Sequence, residues 1–361
     1  MGRNVLVRAG LVLLCVASLS PQTFSQSQTS AASQPAAKDR LTLDIVVTDK
    51  SGKAVRGLEE KDFTVLDNKR PQNILSFQAE ASDAPAASLP PADPPVKIIL
   101  LMDEVNTGFS RVAYEREQIK KFLLQKEGVL AHPMSLAFFS DTDAGIQNDS
   151  SRDGNALLAA FDQHETGLRT IRRGEGFYGA VERFQLSLKT LDSIIAKEGP
   201  IPGRKVVIWI SPGWPILSGP GVELTNKQRD QILSSIVSVS TALRQARITL
   251  YNIDPQGTEA AGGIQSYYYK EFLKPVTTSK SVLPGNLALQ VISEQSGGLV
   301  FPAGNDITGQ INRCVADVDA FYTLTLDTAV ADRPNEYHAI EVKVATPGLT
   351  ARTRNGYYAQ P

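Results

Sequence analysis

The segment from Val96 to Thr107, VKIILLMDEVNT, constrains the chain more than any other stretch. Val96 and the run from Ile98 to Met102 are apolar and β-compatible, and Lys97 alone interrupts them. An apolar run of this length reads as a strand buried on both faces, as strands of a parallel sheet are. It stops at Asp103-Glu104-Val105-Asn106-Thr107. A carboxylate that ends such a strand falls at the carboxyl edge of the sheet, where open α/β sheets bind ligands. Asn106 and Thr107 suit a turn and the cap of a following helix. The segment therefore carries two readings. One is strand, loop and cap; the other is one arm of a divalent-cation site, because hard cations take oxygens from clustered carboxylates and hydroxyls.

The same alternation continues downstream. A helix after Thr107 places Val112, Ile119, Phe122 and Leu123 on one face, with Arg111, Glu115, Arg116, Glu117 and Lys120 around them. Further buried strands are predicted over 134–139, ending at Ser140-Asp141, over 206–210, ending at Ser211-Pro212-Gly213, and over 248–253, ending at Asp254-Pro255. A short strand follows at 299–301. Helices are predicted over 155–161, 177–195, 228–247, 287–294 and 307–318. Strand and helix in turn give an α/β, doubly wound, mostly parallel sheet spanning 96–319.

The flanks read differently. Leu41, Leu43, Ile45 and Val47 recur with period two, and Phe63, Val65 and Leu66, then Ile74, Leu75 and Phe77, suggest two more strands. After Phe321, Tyr322, Leu324 and Leu326 alternate, then Ile340, Val342 and Val344, and 350–358 returns. Three strands alone are marginal. Segments 40–80 and 320–359 are therefore expected to pair as one discontinuous β-sandwich into which the α/β domain is inserted. The proline-rich stretch 81–95 reads as a linker.

At the start, Arg3 and Arg8 precede a stretch of apolar or small residues from Ala9 to Leu19 that is too short to span a bilayer. Residues 1–25 read as a signal peptide and 26–39, rich in Ser, Gln and Ala, as a flexible leader. The mature chain is then expected to be exported, periplasmic or extracellular, without a transmembrane span. Leu14 before Cys15 argues against a lipid anchor, and Cys314 would be the single thiol left, so no internal disulfide is expected. The 37 basic and 38 acidic residues give no basic surplus of the kind nucleic-acid binders carry.

Three stretches carry a family resemblance: VVTDKSGKAVRGLEEKDFTVLDNKRPQNILSF, IILLMDEVNT and HAIEVKVATPGLTARTRNGYYA. They resemble the bacterial, secreted VWFA-related family common in acidobacteria, which contains a von Willebrand factor type A-like domain. Such domains often hold a divalent cation at a metal-ion-dependent adhesion site, with Asp-x-Ser-x-Ser after the first strand, a Thr before a later helix and an Asp after a central strand. The resemblance carries over unevenly. Asp103 and Thr107 match the first Asp and second hydroxyl. Val105 replaces the first Ser, Glu175 falls near the Thr position, and Ser211-Pro212 stands where the last Asp is expected. Asp141 and Asp254 also end strands and are candidate substitutes. The resemblance thus implies a degenerate site for Mg2+ or Mn2+, with Asp103, Thr107, Glu175 and Asp141 as ligands and Asp103 facing outward at its summit.

Other chemistry has little to stand on. His164-Glu165 begins like a zinc-protease helix, but Leu168 occupies the second His position. No Gly-x-Ser-x-Gly segment occurs, and His132, His164 and His338 are not grouped by spacing. The loops 212–224 and 255–284 are long for a compact domain and carry Trp214 and Tyr267-Tyr268-Tyr269. Aromatics on loops suit protein contacts. The expectation is an exported, non-enzymatic protein-interaction or adhesion-type module. It would bind an unidentified protein at or outside the cell envelope through Asn106, Trp214, Tyr267, Tyr268 and Tyr269. The alternatives are a divalent-cation-dependent receptor for an acidic ligand and a hydrolase with an unrecognised site.

Overall fold

A computed structural model of the chain describes residues 40–81, 96–140, 144–146, 149–164, 176–217, 223–261 and 267–361. The expected signal peptide, the leader and nearly all of the linker lie outside the described residues, as do Asp141 and Glu175.

In chain order the elements begin with β1 (Arg40–Thr48), β2 (Phe63–Asp67), β3 (Arg70–Pro71) and β4 (Ser76–Ala81). They continue with β5 (Val96–Asp103), α1 (Phe109–Leu123), β6 (Val129–Phe139), β7 (Ala144–Ile146), β8 (Ser151–Asp153), α2 (Gly154–Gln163) and α3 (Gly176–Glu198). Next come β9 (Arg204–Ile210), α4 (Asn226–Gln245), β10 (Ile248–Ile253), α5 (Leu289–Gln295), β11 (Val300–Phe301) and α6 (Ile307–Asp319). The last strands are β12 (Ala320–Asp327), β13 (Glu336–Val344), β14 (Thr350–Arg352) and β15 (Gly356–Ala359).

The central sheet runs β11-β10-β9-β5-β6-β7, with β8 also on β6. The first five strands are parallel, and β7 and β8 meet β6 antiparallel. Both faces are covered, which is why β5 and β9 read as unbroken apolar runs. Period two sorts their side chains. Ile98, Leu100 and Met102 join Val206, Ile208 and Ile210 on the face packed by α1, α2 and α6. Ile99, Leu101, Val207 and Trp209 face α3 and α4. The long expected elements agree with the observed ones to within a few residues. The short β3, β7 and β8 are not among the expected ones, and the strand expected over 350–358 is two, β14 and β15, in different sheets. Two further differences are instructive. Strand β6 starts at Val129, ahead of Pro133, where its pairing with β8 is irregular because proline gives no ladder donor. The third flanking strand begins at Ser76, leaving Leu75 half exposed.

Two antiparallel four-stranded sheets, β14-β1-β12-β4 and β15-β13-β2-β3, combine strands from both chain ends. Leu41, Leu43, Ile45 and Val47 pack with Phe63, Val65, Tyr322, Leu324 and Tyr357 in one core between them. A polar seam joins this layer to the α/β unit. Arg247 bonds Asp44 at 2.5 Å, Arg352 pairs with Asp317 and donates to the Gly297 carbonyl, and Asn355 N–H donates to Gln295 O at 3.2 Å. Gly297, at φ 93° after α5, lies so close to this seam that a Cβ would sit 2.7 Å from the Thr353 carbonyl carbon.

Candidate functional site

The carboxyl edge of the parallel sheet gathers the ends of β5, β6, β9 and β10. At its centre, Asp103 continues the odd-numbered face of β5 and so turns toward α3 and Trp209. Its carboxylate is fully buried and accepts five bonds. Oδ1 accepts from Val105 N–H at 3.0 Å and Asn106 N–H at 2.8 Å. Oδ2 accepts from Asn106 Nδ2 at 2.9 Å, Trp209 Nε1 at 3.1 Å and Ser211 Oγ at 2.8 Å. Burial pushes its carboxyl up, and the bonds from Asn106, Ser211 and Trp209 pull it back. The expectation of an outward-facing Asp103 is corrected. The Trp209 indole and the turn it caps close over it, and its acceptor capacity is taken up internally.

Its neighbours are the opposite case. Thr107 is fully buried and its Oγ1 has no hydrogen-bond partner. Asn106 donates to Asp103 and to Ser187 Oγ at 3.0 Å, while its Oδ1 is also buried without a partner. Glu115 lies on the apolar stripe of α1, between Val112 and Ile119, and both of its oxygens lack a partner. Burial, then the carboxylates of Asp103 and Glu104, raise its pKa well above the ordinary glutamate value. The reading of Glu115 as a solvated flank is therefore corrected. Steps of 112, 115, 119 and 122 complete one helical face, so the spacing held the signal and the residue type masked it.

Glu104 is also buried, with Oε1 at 3.1 Å from His164 Nε2, and the His164 ring stacks on Phe138 at 3.7 Å. Asp254, at the end of β10, has its pKa raised by burial to about 6, opposed by the Gln256 N–H and by Arg111 of α1. Ser211 stands at the end of β9 as an Asp103 donor.

The residues expected to contact a partner divide. Trp214 is 3% exposed and packs edge-on against Trp209 at 5.2 Å, so it is core. Tyr269 is buried, and its hydroxyl donates to Glu294 Oε1 at 3.0 Å. Tyr268 is half-buried against Phe272. Tyr267 alone of the three is exposed, at 49%, with Lys270 Nζ 5.0 Å from its ring. Trp214 joins the core on the α3 and α4 face of the sheet, and Tyr269 turns inward because it packs with Phe272 against Ala288 and Val291 at the start of α5.

Sequence reasoning passed over three other exposed aromatics: Phe109 at the start of α1, and Phe177 and Tyr178 in the first turn of α3. The helix α3 runs antiparallel to the strands, since its last residue Glu198 meets Lys97 at the start of β5, at 2.8 Å. Ser187 meets Asn106 at the opposite edge. The three turns before Ser187 therefore lie on the carboxyl-edge side of that contact, with Phe184 still in the core. Phe177 and Tyr178 sit at the tip, 6.3 Å apart. Aromatics at the start of an amphipathic helix read as core from spacing alone.

Among the described residues, no group of three or more His, Cys, Asp or Glu side chains is arranged to hold a metal ion. With the Asp103 oxygens saturated and Val105 in place of a hydroxyl, the described donors do not fit a hard-cation site open to a ligand.

No protein-family model matches the chain, and no curated protein matches it. A solved structure, "Crystal Structure of the SpRpn10 VWA domain", is similar over 44% of this chain and 74% of that one, at 12% identity and a TM-score of 0.22.

Proposed function

We propose that the chain is an exported, non-enzymatic protein-interaction module, built as a von Willebrand factor type A-like domain inserted into a β-sandwich. In this reading it is related to the secreted VWFA-related proteins its sequence resembles, and it binds through the carboxyl edge of the parallel sheet. The observation that carries this reading is the set of exposed aromatics on connections that leave that edge, Phe109, Phe177, Tyr178 and Tyr267. Aromatic side chains supply much of the energy of protein interfaces, and the first turn of α3 exposes two of them. The expected partner is a protein with an apolar or aromatic surface at the cell envelope.

Capture from an envelope extract tests this with the wild type against Phe177→Ala/Tyr178→Ala and Tyr267→Ala. Loss of a specific set of partners in the variants, with unfolding curves unchanged, supports the reading. Identical captured sets in all three proteins end it.

A second reading, a receptor for an acidic ligand that needs Mg2+ or Mn2+, draws on the partnerless oxygens of Asn106, Thr107 and Glu115 next to Asp103. Against it stands the saturated Asp103. Calorimetric titration of the wild type and Thr107→Val with magnesium or manganese decides. Metal-dependent heat that the variant loses favours this reading, and no heat in the wild type removes it.

A further inference from the structure

A small polar cavity lies far from the edge just described, in the seam between the sandwich and the α/β unit. It is lined by Asp44 of β1, Arg244 of α4, Arg247, Ser296 at the end of α5, and Thr353 and Arg354 of the last turn. It gives the centre of a water-sized body about 10 Å³, room for one such body.

The charges around it are uneven. Arg244, Arg247 and Arg354 line the cavity together with the Asp44 carboxylate, and Arg244 has a further partner of its own. Arg247 takes that carboxylate with two bonds, from Nε at 3.3 Å and from Nη2 at 2.5 Å. Thr353 Oγ1 donates to the Asp44 carbonyl instead. Arg354 is 8% exposed and donates no side-chain hydrogen bond to any described residue. Burial, then the like charge of Arg244, lower its pKa to about 10, with Asp44 opposing. Arginine stays protonated at that value. A buried guanidinium without an acceptor is costly, and the space beside it is lined mostly by polar atoms.

Arg244 and Arg247 have a structural reason to be here, since cations are favoured at the negative end of a helix such as α4. That reason does not extend to Arg354, which arrives from the other layer. Water could fill the cavity, but it would leave the Arg354 charge unbalanced.

We propose that this cavity is a binding site for one small monatomic anion of chloride size, held chiefly by the Arg354 guanidinium at the junction of the two layers. The narrow space favours a monatomic anion over phosphate, sulfate and the larger oxyanions. The bound anion would lock the last turn of the chain, carrying Thr353 and Arg354, onto the ends of α4 and α5. No bond is made or broken.

The probe is halide alone. Titrating the protein with chloride while following the 35Cl line width should give saturable broadening that bromide reverses. Arg354→Gln should weaken the halide by roughly tenfold, the loss expected for one charge-assisted bond, and Arg333→Gln, an exposed arginine elsewhere, should leave it unchanged. Crystals of the wild type grown in bromide should show an anomalous peak in the cavity. That measurement needs no variant, so misfolding of Arg354→Gln does not protect the proposal. A water in the cavity with no anomalous signal overturns it, as does halide broadening that survives in a folded Arg354→Gln protein.

Discussion

The sandwich and the sheet edge both bury carboxylates, and they treat them differently. In the sandwich, Asp67 of β2 has Oδ1 at 2.7 Å from His338 Nδ1 and Oδ2 accepting from Tyr357 at 2.7 Å. Tyr357 in turn accepts from Ala329 N–H at 3.0 Å. The cluster ties β2, β13 and β15 together with one loose end, His338 Nε2. At the sheet edge, Asp103 is more completely satisfied still, yet Thr107 and Glu115 beside it are left unpartnered. Buried polar groups are nearly always paired. Other exceptions among the described residues, such as Glu198 Oε2, Arg204 Nε and Ser293 Oγ, lie elsewhere in the α/β unit. Asn106, Thr107 and Glu115, however, fall together beside one carboxylate, and local rules are most often broken at functional sites. The sandwich is a scaffold; the edge is not optimised as one.

Substitution sharpens that contrast. Asp103→Ala strands the buried donors of Trp209, Ser211 and the Asn106 turn, and it should destabilise by about 4 kcal/mol in urea unfolding. A loss under about 1 kcal/mol would mean that those donors find other partners. Asp67→Asn keeps the shape but turns an NH2 toward either His338 or the Tyr357 hydroxyl, and about 2 kcal/mol of destabilisation is expected. Equal losses at the two positions would erase the distinction between edge and scaffold.

Glu115→Gln should have the smallest effect, and its signature is in pH. The folded glutamic acid has its pKa raised above the ordinary 4.5. The folded state thus holds the proton over a range where the unfolded chain has lost it, and wild-type stability falls as pH rises through that range. The variant should not share that fall. It should gain on the wild type as pH rises above the ordinary glutamate value of 4.5. Parallel stability curves from pH 4 to 7 would show Glu115 to be unstrained.

The sheet was legible because its strands are buried on both faces. Unbroken apolar runs such as those at 98–102 and 206–210 allow little else. The flanking strands were legible from alternation, although the true start of β4 was hidden by the apolar but exposed Leu75. The site was harder to read. That Asp103 ends a strand follows from the pattern; that it points into the layer below α3 depends on a Trp six residues into β9, over a hundred positions away. The same non-local packing hid Trp214 in the core beside Trp209 and Tyr269 in a small cluster with Phe272. Exposure at a loop or a helix start is set by what folds over it, and local spacing carries no record of that.

The register between β4 and β12 has a kinetic corollary. Ala81 and Ala320 are direct Cα partners, so one rung of an antiparallel ladder closes a loop of roughly 240 residues. Closing it with the intervening chain still random carries an entropic barrier of about 5 kcal/mol. If the parallel sheet assembles first, its compactness brings the two ends together beforehand and most of that barrier is gone. The outer β layer then assembles last, with the enclosed unit as its template, and lesions within that unit delay both layers.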